Sequence, residues 1–184
     1  MDGPSTNWVV FNLLCSDCSE NELHVLSNLG SCGMHVVHGA FQTGIKASDW
    51  SLEKVMKAMW RLFHDSPTRR DVYIRLNLSE LFPLRFCPTR WVEDEDVSSR
   101  AIVTWPFVVN VIRHFQSLCP SKRPQKNTSF DTLVLHHTDS LMLIKFQFFR
   151  DIAYLLNVHL KQFQTDNPMI PFISDTLEKV MCDG

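Results

Sequence analysis

Residues 51–63 read Ser51-Leu-Glu-Lys-Val-Met-Lys-Ala-Met-Trp-Arg-Leu-Phe63, and this stretch decides the fold class. Its apolar residues recur every three or four positions, the period that places side chains on one face of an α-helix. Ser51 is a suitable N-cap, and Ser66-Pro67 ends this helix and begins another, since proline at the first helical position loses no intrahelical bond. The predicted buried stripe consists of Leu52, Val55, Met56, Met59 and Phe63.

The helical period continues on both sides of this stretch. Residues 23–27, Leu-His-Val-Leu-Ser, are the one favoured strand. Pro106 must kink or divide the long helical pattern around it, because proline lacks an amide donor. Helices are predicted over 8–15, 33–46, 67–76, 89–118, 129–137, 139–164 and from 168 through 181, the first with Val9, Val10, Leu13 and Leu14 inward. The expected fold is mainly α, with one or two short strands.

Composition sets limits on function. The chain has 184 residues, 45% of them hydrophobic and 21% charged, which is a globular composition rather than a disordered one. The net charge of −2 argues against a free-standing nucleic-acid binder, so any DNA contact must be local. Residues 141–160 are the longest apolar-looking stretch, but they include Lys145, Arg150 and Asp151. We therefore expect no membrane span.

The cysteines allow two interpretations. Cys15-x-x-Cys18 and Cys32-x-x-His35 have a spacing that can close a tetrahedral zinc site. Against zinc, a candidate strand separates the two pairs, and cysteine is often a small buried residue. The N-terminal residues lack the features of a secretory signal, so the six cysteines are expected to stay reduced. Buried structural thiols are the favoured interpretation, with the zinc module as the alternative.

Two charged segments are candidates for binding. The acidic run Glu93-Asp-Glu-Asp96 is interpreted as a solvated helix start, which the helix dipole favours. The proline-broken loop 119–128 carries Lys122, Arg123 and Lys126. These three residues are either DNA contacts or part of a solvated linker.

Three segments in order resemble the middle of a hAT-superfamily transposase or a domesticated relative. They are Met1-Asp-Gly-Pro-Ser-Thr-Asn-Trp8, then Asn28-Leu-Gly-Ser-Cys-Gly-Met-His-Val-Val-His-Gly-Ala-Phe41, then Cys87-Pro-Thr-Arg-Trp91. A later segment, Phe163-Gln-Thr-Asp-Asn-Pro-Met-Ile-Pro-Phe172, resembles one animal branch of these proteins. The resemblance spans nearly the whole chain.

The resemblance implies a fold and a set of site residues. Such transposases have a ribonuclease H-like core whose Asp, Asp, Glu triad binds two divalent metals, Mg or Mn, for DNA hydrolysis and strand transfer. Asp2 matches the second catalytic Asp, Cys32 and His35 match the Cys-x-x-His motif, and Arg90 with Trp91 matches the Arg-Trp motif. Residues 1–95 would be part of the catalytic core, truncated to a remnant, and residues 96–184 the start of the all-helical insertion.

The resemblance also implies that this chain is not an enzyme by itself. The first Asp and the final Glu of the triad have no counterpart in it, so we expect an inactive fragment without a cofactor of its own. DNA is the expected partner of the parent protein, and the location is intracellular, with the nucleus favoured over the cytoplasm. Alternatively the chain is a helical interaction module, in which a protein partner covers apolar side chains that nearly encircle the last long helix: Phe146, Phe148, Phe149, Leu155, Leu156 and Phe163.

Overall fold

The structure, a computed structural model, describes residues 5–20 and 33–163, with side chains at 8–20 and 34–161. The described residues form seven α-helices and two short 3-10 turns and contain no β-strand, so the mainly helical fold class is confirmed. The predicted strand 23–27 and the predicted helix after residue 168 lie outside the described residues. None of the described helices is long and apolar enough to cross a membrane.

The helices have the following bounds. They are α1 (Ser5–Glu20), α2 (Gly33–Ala47), α3 (Leu52–His64), α4 (Pro67–Asn77), α5 (Glu95–Ser117), α6 (Thr128–His136) and α7 (Met142–Phe163). The 3-10 turns cover Trp91–Asp94 and Pro120–Lys122. The chain divides into two compact units, Met1–Ala40 and Phe41–Gly184. The predicted division after residue 95 lies within the second unit and stays a prediction about domains.

In the first unit, α1 is longer than the predicted 8–15 and includes Cys18. The four apolar side chains expected to point inward are exposed, so that prediction is wrong: Val9, Val10, Leu13 and Leu14. These four residues lie on one side of the helix, but α1 as a whole separates its apolar and polar faces only weakly, so this side is not marked as a buried one.

In the second unit, α3 buries the stripe that its sequence predicts. All five side chains of that stripe are at most 2% exposed. Ser51 stands at the N-cap position, but it adopts a left-handed backbone conformation with φ 54° and its side chain makes no capping bond. The next helix begins as expected, because the Ser66 hydroxyl accepts the Arg69 amide and Pro67 follows at the first turn.

Helices α5 and α7 form an antiparallel pair. Trp105 of α5 meets Phe146 of α7 edge to face, with 5.7 Å between ring centroids, while Glu95 accepts from Asn157 at the other end. Pro106 lies within α5 and does not divide it. The helix begins at Glu95 rather than at residue 89, because the 3-10 turn at Trp91–Asp94 takes up the preceding residues.

An extended segment, residues 79–87, follows α4 and is fixed to the helices by hydrogen bonds. The buried Tyr73 hydroxyl of α4 donates to the Leu81 carbonyl at 2.7 Å. Arg100 of α5 donates to the Phe82 carbonyl at 3.0 Å. Farther along, Phe86 packs edge to face against Trp91, with ring centroids 5.2 Å apart. These contacts hold the extended segment against α4, α5 and the 3-10 turn at Trp91.

Candidate nucleic-acid interface

Two of the predicted catalytic and metal-binding residues lie outside the part of the chain whose side chains the structure describes. This is so for Asp2, the residue matched to a catalytic carboxylate, and for Cys32. Cys15 and Cys18 are half-buried on α1, and His35 is exposed on α2. Within the described residues no group of three His, Cys, Asp or Glu side chains could hold a metal ion. The zinc module and the catalytic role of Asp2 both stay predictions.

The two side chains of the Arg-Trp motif differ in exposure, since Arg90 faces solvent and Trp91 is buried. Arg90 is exposed, and its guanidinium forms an ion pair with Glu93 at 3.2 Å. Trp91 is 1% exposed, its indole N–H donates to the Pro88 carbonyl at 2.9 Å, and its ring packs near Phe149. Trp91 therefore anchors the 3-10 turn in the core of the second unit, and Arg90 is the member of the pair that faces solvent.

The loop 119–128 presents fewer free cations than its sequence suggests. The Arg123 guanidinium donates to the Leu118 carbonyl at 3.0 Å and to the Gln116 carbonyl at 2.6 Å. Both carbonyls belong to the end of α5, which has no further helical amides to satisfy them, so Arg123 acts as a C-terminal cap. Lys122 and Lys126 are exposed. Contact between this loop and DNA stays a prediction that now depends on the two lysines.

A different basic surface lies along the solvent side of α3. Lys57, Trp60, Arg61 and His64 follow one another at intervals of three, one and three residues, which places them on one face of the helix. Trp60 and His64 stack with 3.9 Å between ring centroids and an interplanar angle of 26°. Their alignment gives α3 a polar face that is aromatic as well as basic.

The extended segment completes this surface. The Arg85 guanidinium carbon lies 5.5 Å from the centroid of the Trp60 ring, and that of Arg70, from α4, lies 4.6 Å from the Phe82 ring. Between them is a groove of about 200 Å³, lined by Trp60, Phe63, His64, Arg70, Phe82 and Pro83. We call these six residues with Arg85 the arginine–aromatic groove.

The groove has a local positive charge in a chain that is acidic as a whole. Residues 60–90 contain six of the ten arginines, namely Arg61, Arg69, Arg70, Arg75, Arg85 and Arg90, against Asp65, Asp71 and Glu80. Among the described residues neither Arg70 nor Arg85 forms an ion pair. The acid nearest to His64 is Asp65, at 3.5 Å. An arginine placed over an aromatic ring without an ion-pair partner has N–H donors available for an anion.

Asp94 is the one residue of the acidic run that departs from the solvated helix start predicted from the sequence. Glu95 and Asp96 do begin α5, and Glu93 is exposed. Asp94 is 3% exposed, one carboxyl oxygen accepts the Cys87 amide at 2.9 Å, and the other has no hydrogen-bond partner among the described residues. Burial raises the pKa of Asp94 to about 7, and Glu93 adds to that effect, whereas the Cys87 amide and Lys57 oppose it. The prediction failed because the 3-10 turn rotates Asp94 inward beneath the extended segment.

Comparison with known proteins gives no relative for this chain. It matches no protein-family model, no curated protein and no solved structure.

Proposed function

We propose that this chain belongs to the nucleic-acid-binding class as part of a hAT-like DNA transposase or a domesticated relative. The observation that carries the proposal is the secondary structure that follows Arg90 and Trp91. From Glu95 to Phe163 every regular element is helical, as the insertion of such a transposase would be. The ribonuclease H-like origin of residues 1–95, the nuclear location and the Mg or Mn dependence of the parent enzyme form part of the same proposal.

By themselves, the 184 residues do not catalyse DNA cleavage under this proposal. A two-metal centre needs several carboxylates held rigidly around the metals, since both the attacking and the leaving oxygen must be stabilised. Motif matching assigns one such carboxylate, Asp2. Among the described residues, the acidic side chains form no group that could bind a metal ion.

Plasmid cleavage tests this proposal. Supercoiled plasmid incubated with the purified chain and Mg²⁺ or Mn²⁺ is expected to remain supercoiled, at the rate seen with metal alone. Asp2→Ala should behave in the same way. Metal-dependent nicking by the wild-type chain that disappears in Asp2→Ala would overturn the proposal that the chain is inactive, and it would establish Asp2 as a catalytic carboxylate.

A second candidate function, protein interaction, is favoured by the outer face of α7. Phe146 and Phe149 need no partner, because both are fully buried within the second unit, so that part of the prediction is wrong. The large apolar side chains of α7 that do face solvent are Leu143, Ile144, Phe148, Tyr154 and Val158. An exposed apolar face of this kind is typical of contact sites. A strictly monomeric chain in sedimentation experiments would weigh against self-association through this face.

A further inference from the structure

We infer that the arginine–aromatic groove binds single-stranded nucleic acid, with a base on the exposed His64 ring at the end of the Trp60–His64 stack and phosphates at the N–H edges of Arg70 and Arg85. This inference rests on the proposed nucleic-acid-binding function and assigns it a site. The groove's seven residues include neither Arg90 nor Trp91 nor any residue of the loop 119–128, so the proposed site differs in its residues from the contacts that the sequence motifs suggest.

Geometry favours a strand over a duplex. The ring contacts run in order along the groove: Phe82 lies near Phe63 and Arg70 at one end, and Arg85 lies over Trp60 toward the other. From Lys57 to His64, α3 rises about 10 Å, which spans roughly three nucleotides at the spacing of ~3.4 Å per nucleotide along one strand. A duplex shields its base faces by stacking, whereas a single strand can place a base on an aromatic ring or a guanidinium plane.

The chemistry of the side chains favours nucleic acid over an acidic protein segment. Arginine binds carboxylates and phosphates alike, so the aromatic rings, and not the guanidinium groups, distinguish the two ligands. Here the two flanking cations are arginines on aromatic rings, and the α3 face contributes a stacked Trp60–His64 pair. Flat π surfaces combined with guanidinium edges match the alternation of bases and phosphates in a strand.

Fluorescence anisotropy with a labelled oligothymidylate tests the site on the full chain. Arg70→Ala/Arg85→Ala is expected to weaken binding by about tenfold or more, because two charged phosphate contacts are lost and one such contact alone is worth about tenfold. The salt dependence of log K should become shallower by about 1.4, roughly 0.7 for each lost phosphate contact. The control, Arg113→Ala/Arg150→Ala, removes the same charge elsewhere on the second unit and is expected to change affinity by less than about twofold. Circular dichroism checks that both variants remain folded, and Arg70→Lys/Arg85→Lys, which keeps the charge, should give an intermediate loss.

Each other outcome decides against the inference. Equal effects of the two double variants would show that binding follows net charge and would overturn this site while leaving the proposed function intact. Duplex DNA of the same length binding as tightly as the single strand would overturn the preference for a strand. If polyglutamate displaced the labelled oligothymidylate as well as unlabelled oligothymidylate does, and bound through Arg70 and Arg85, the groove would be assigned to an acidic protein partner. Binding of neither nucleic-acid form by the wild-type chain would overturn both this site and the proposed nucleic-acid-binding class.

Discussion

Phe149→Ala is expected to lower the free energy of unfolding by about 3–5 kcal/mol, the range for truncating a buried phenylalanine. Phe149 is 0% exposed, and its ring lies 4.9 Å from Phe41, 6.2 Å from Phe86 and 6.2 Å from Trp91, centroid to centroid. Removing it leaves a cavity where three elements meet. Urea denaturation followed by tryptophan fluorescence measures the loss.

The neighbouring residue supplies the control. Phe148 is 47% exposed and meets the Trp50 ring edge to face at 5.3 Å. Because almost half of its surface already faces water, Phe148→Ala should cost no more than about 1 kcal/mol. Equal losses for the two substitutions would contradict the assignment of Phe149 to the core and of Phe148 to the surface.

Asp94→Asn is expected to change how stability depends on pH. The pKa of Asp94 is raised from its ordinary value of 3.8 to about 7 in the folded chain. Between these values the unfolded chain has released the proton and the folded chain still holds it, so the wild-type chain loses stability as pH rises from about 4 to about 7 and changes no further above that range. Asparagine does not ionise and keeps the oxygen that accepts the Cys87 amide. At pH 8 the variant should be more stable by roughly 2–4 kcal/mol, with little difference near pH 4.

Thermal or urea unfolding of both proteins across this pH range measures the difference. Glu93→Gln is the matched control, since Glu93 is exposed, precedes Asp94 directly and pairs with Arg90. The free energy of unfolding of Glu93→Gln, plotted against pH, should stay nearly parallel to that of the wild-type chain. If the free energy of unfolding of Asp94→Asn also ran parallel to that of the wild-type chain across this pH range, Asp94 would be ionised in the folded chain at acidic pH. That result would contradict the description of Asp94 as a buried carboxyl with one unpaired oxygen.

The sequence predicts the helices well where one face is consistently apolar. The stripe of α3 and the start of α4 at Ser66-Pro67 follow from local spacing and from capping, which neighbouring residues determine. In α7 the sequence predicts a helix but not its buried side. Phe146, Phe148 and Phe149 are chemically identical, and only the packing of α7 against α5 and the 3-10 turn separates the two buried rings from the exposed one.

The candidate site is harder to predict because it forms between distant segments. Arg85 and Trp60 are 25 positions apart in the chain, and no local pattern indicates that they stack. The concentration of arginines between residues 60 and 90 is the one sequence signal that points to this surface. Asp94 illustrates the opposite error: a charged residue in an acidic run is usually solvated, and its burial depends on the extended segment that covers it.

Titration of the purified chain with Mn²⁺, followed by electron paramagnetic resonance, tests most directly whether the 184 residues assemble a catalytic metal centre. We expect only weak, unsaturable binding, the same in the wild-type chain and in Asp2→Ala. Saturable binding of two Mn²⁺ ions at micromolar concentration, lost in Asp2→Ala, would be the signature of a complete two-metal site. That result would contradict the proposal that the 184 residues are catalytically inactive by themselves.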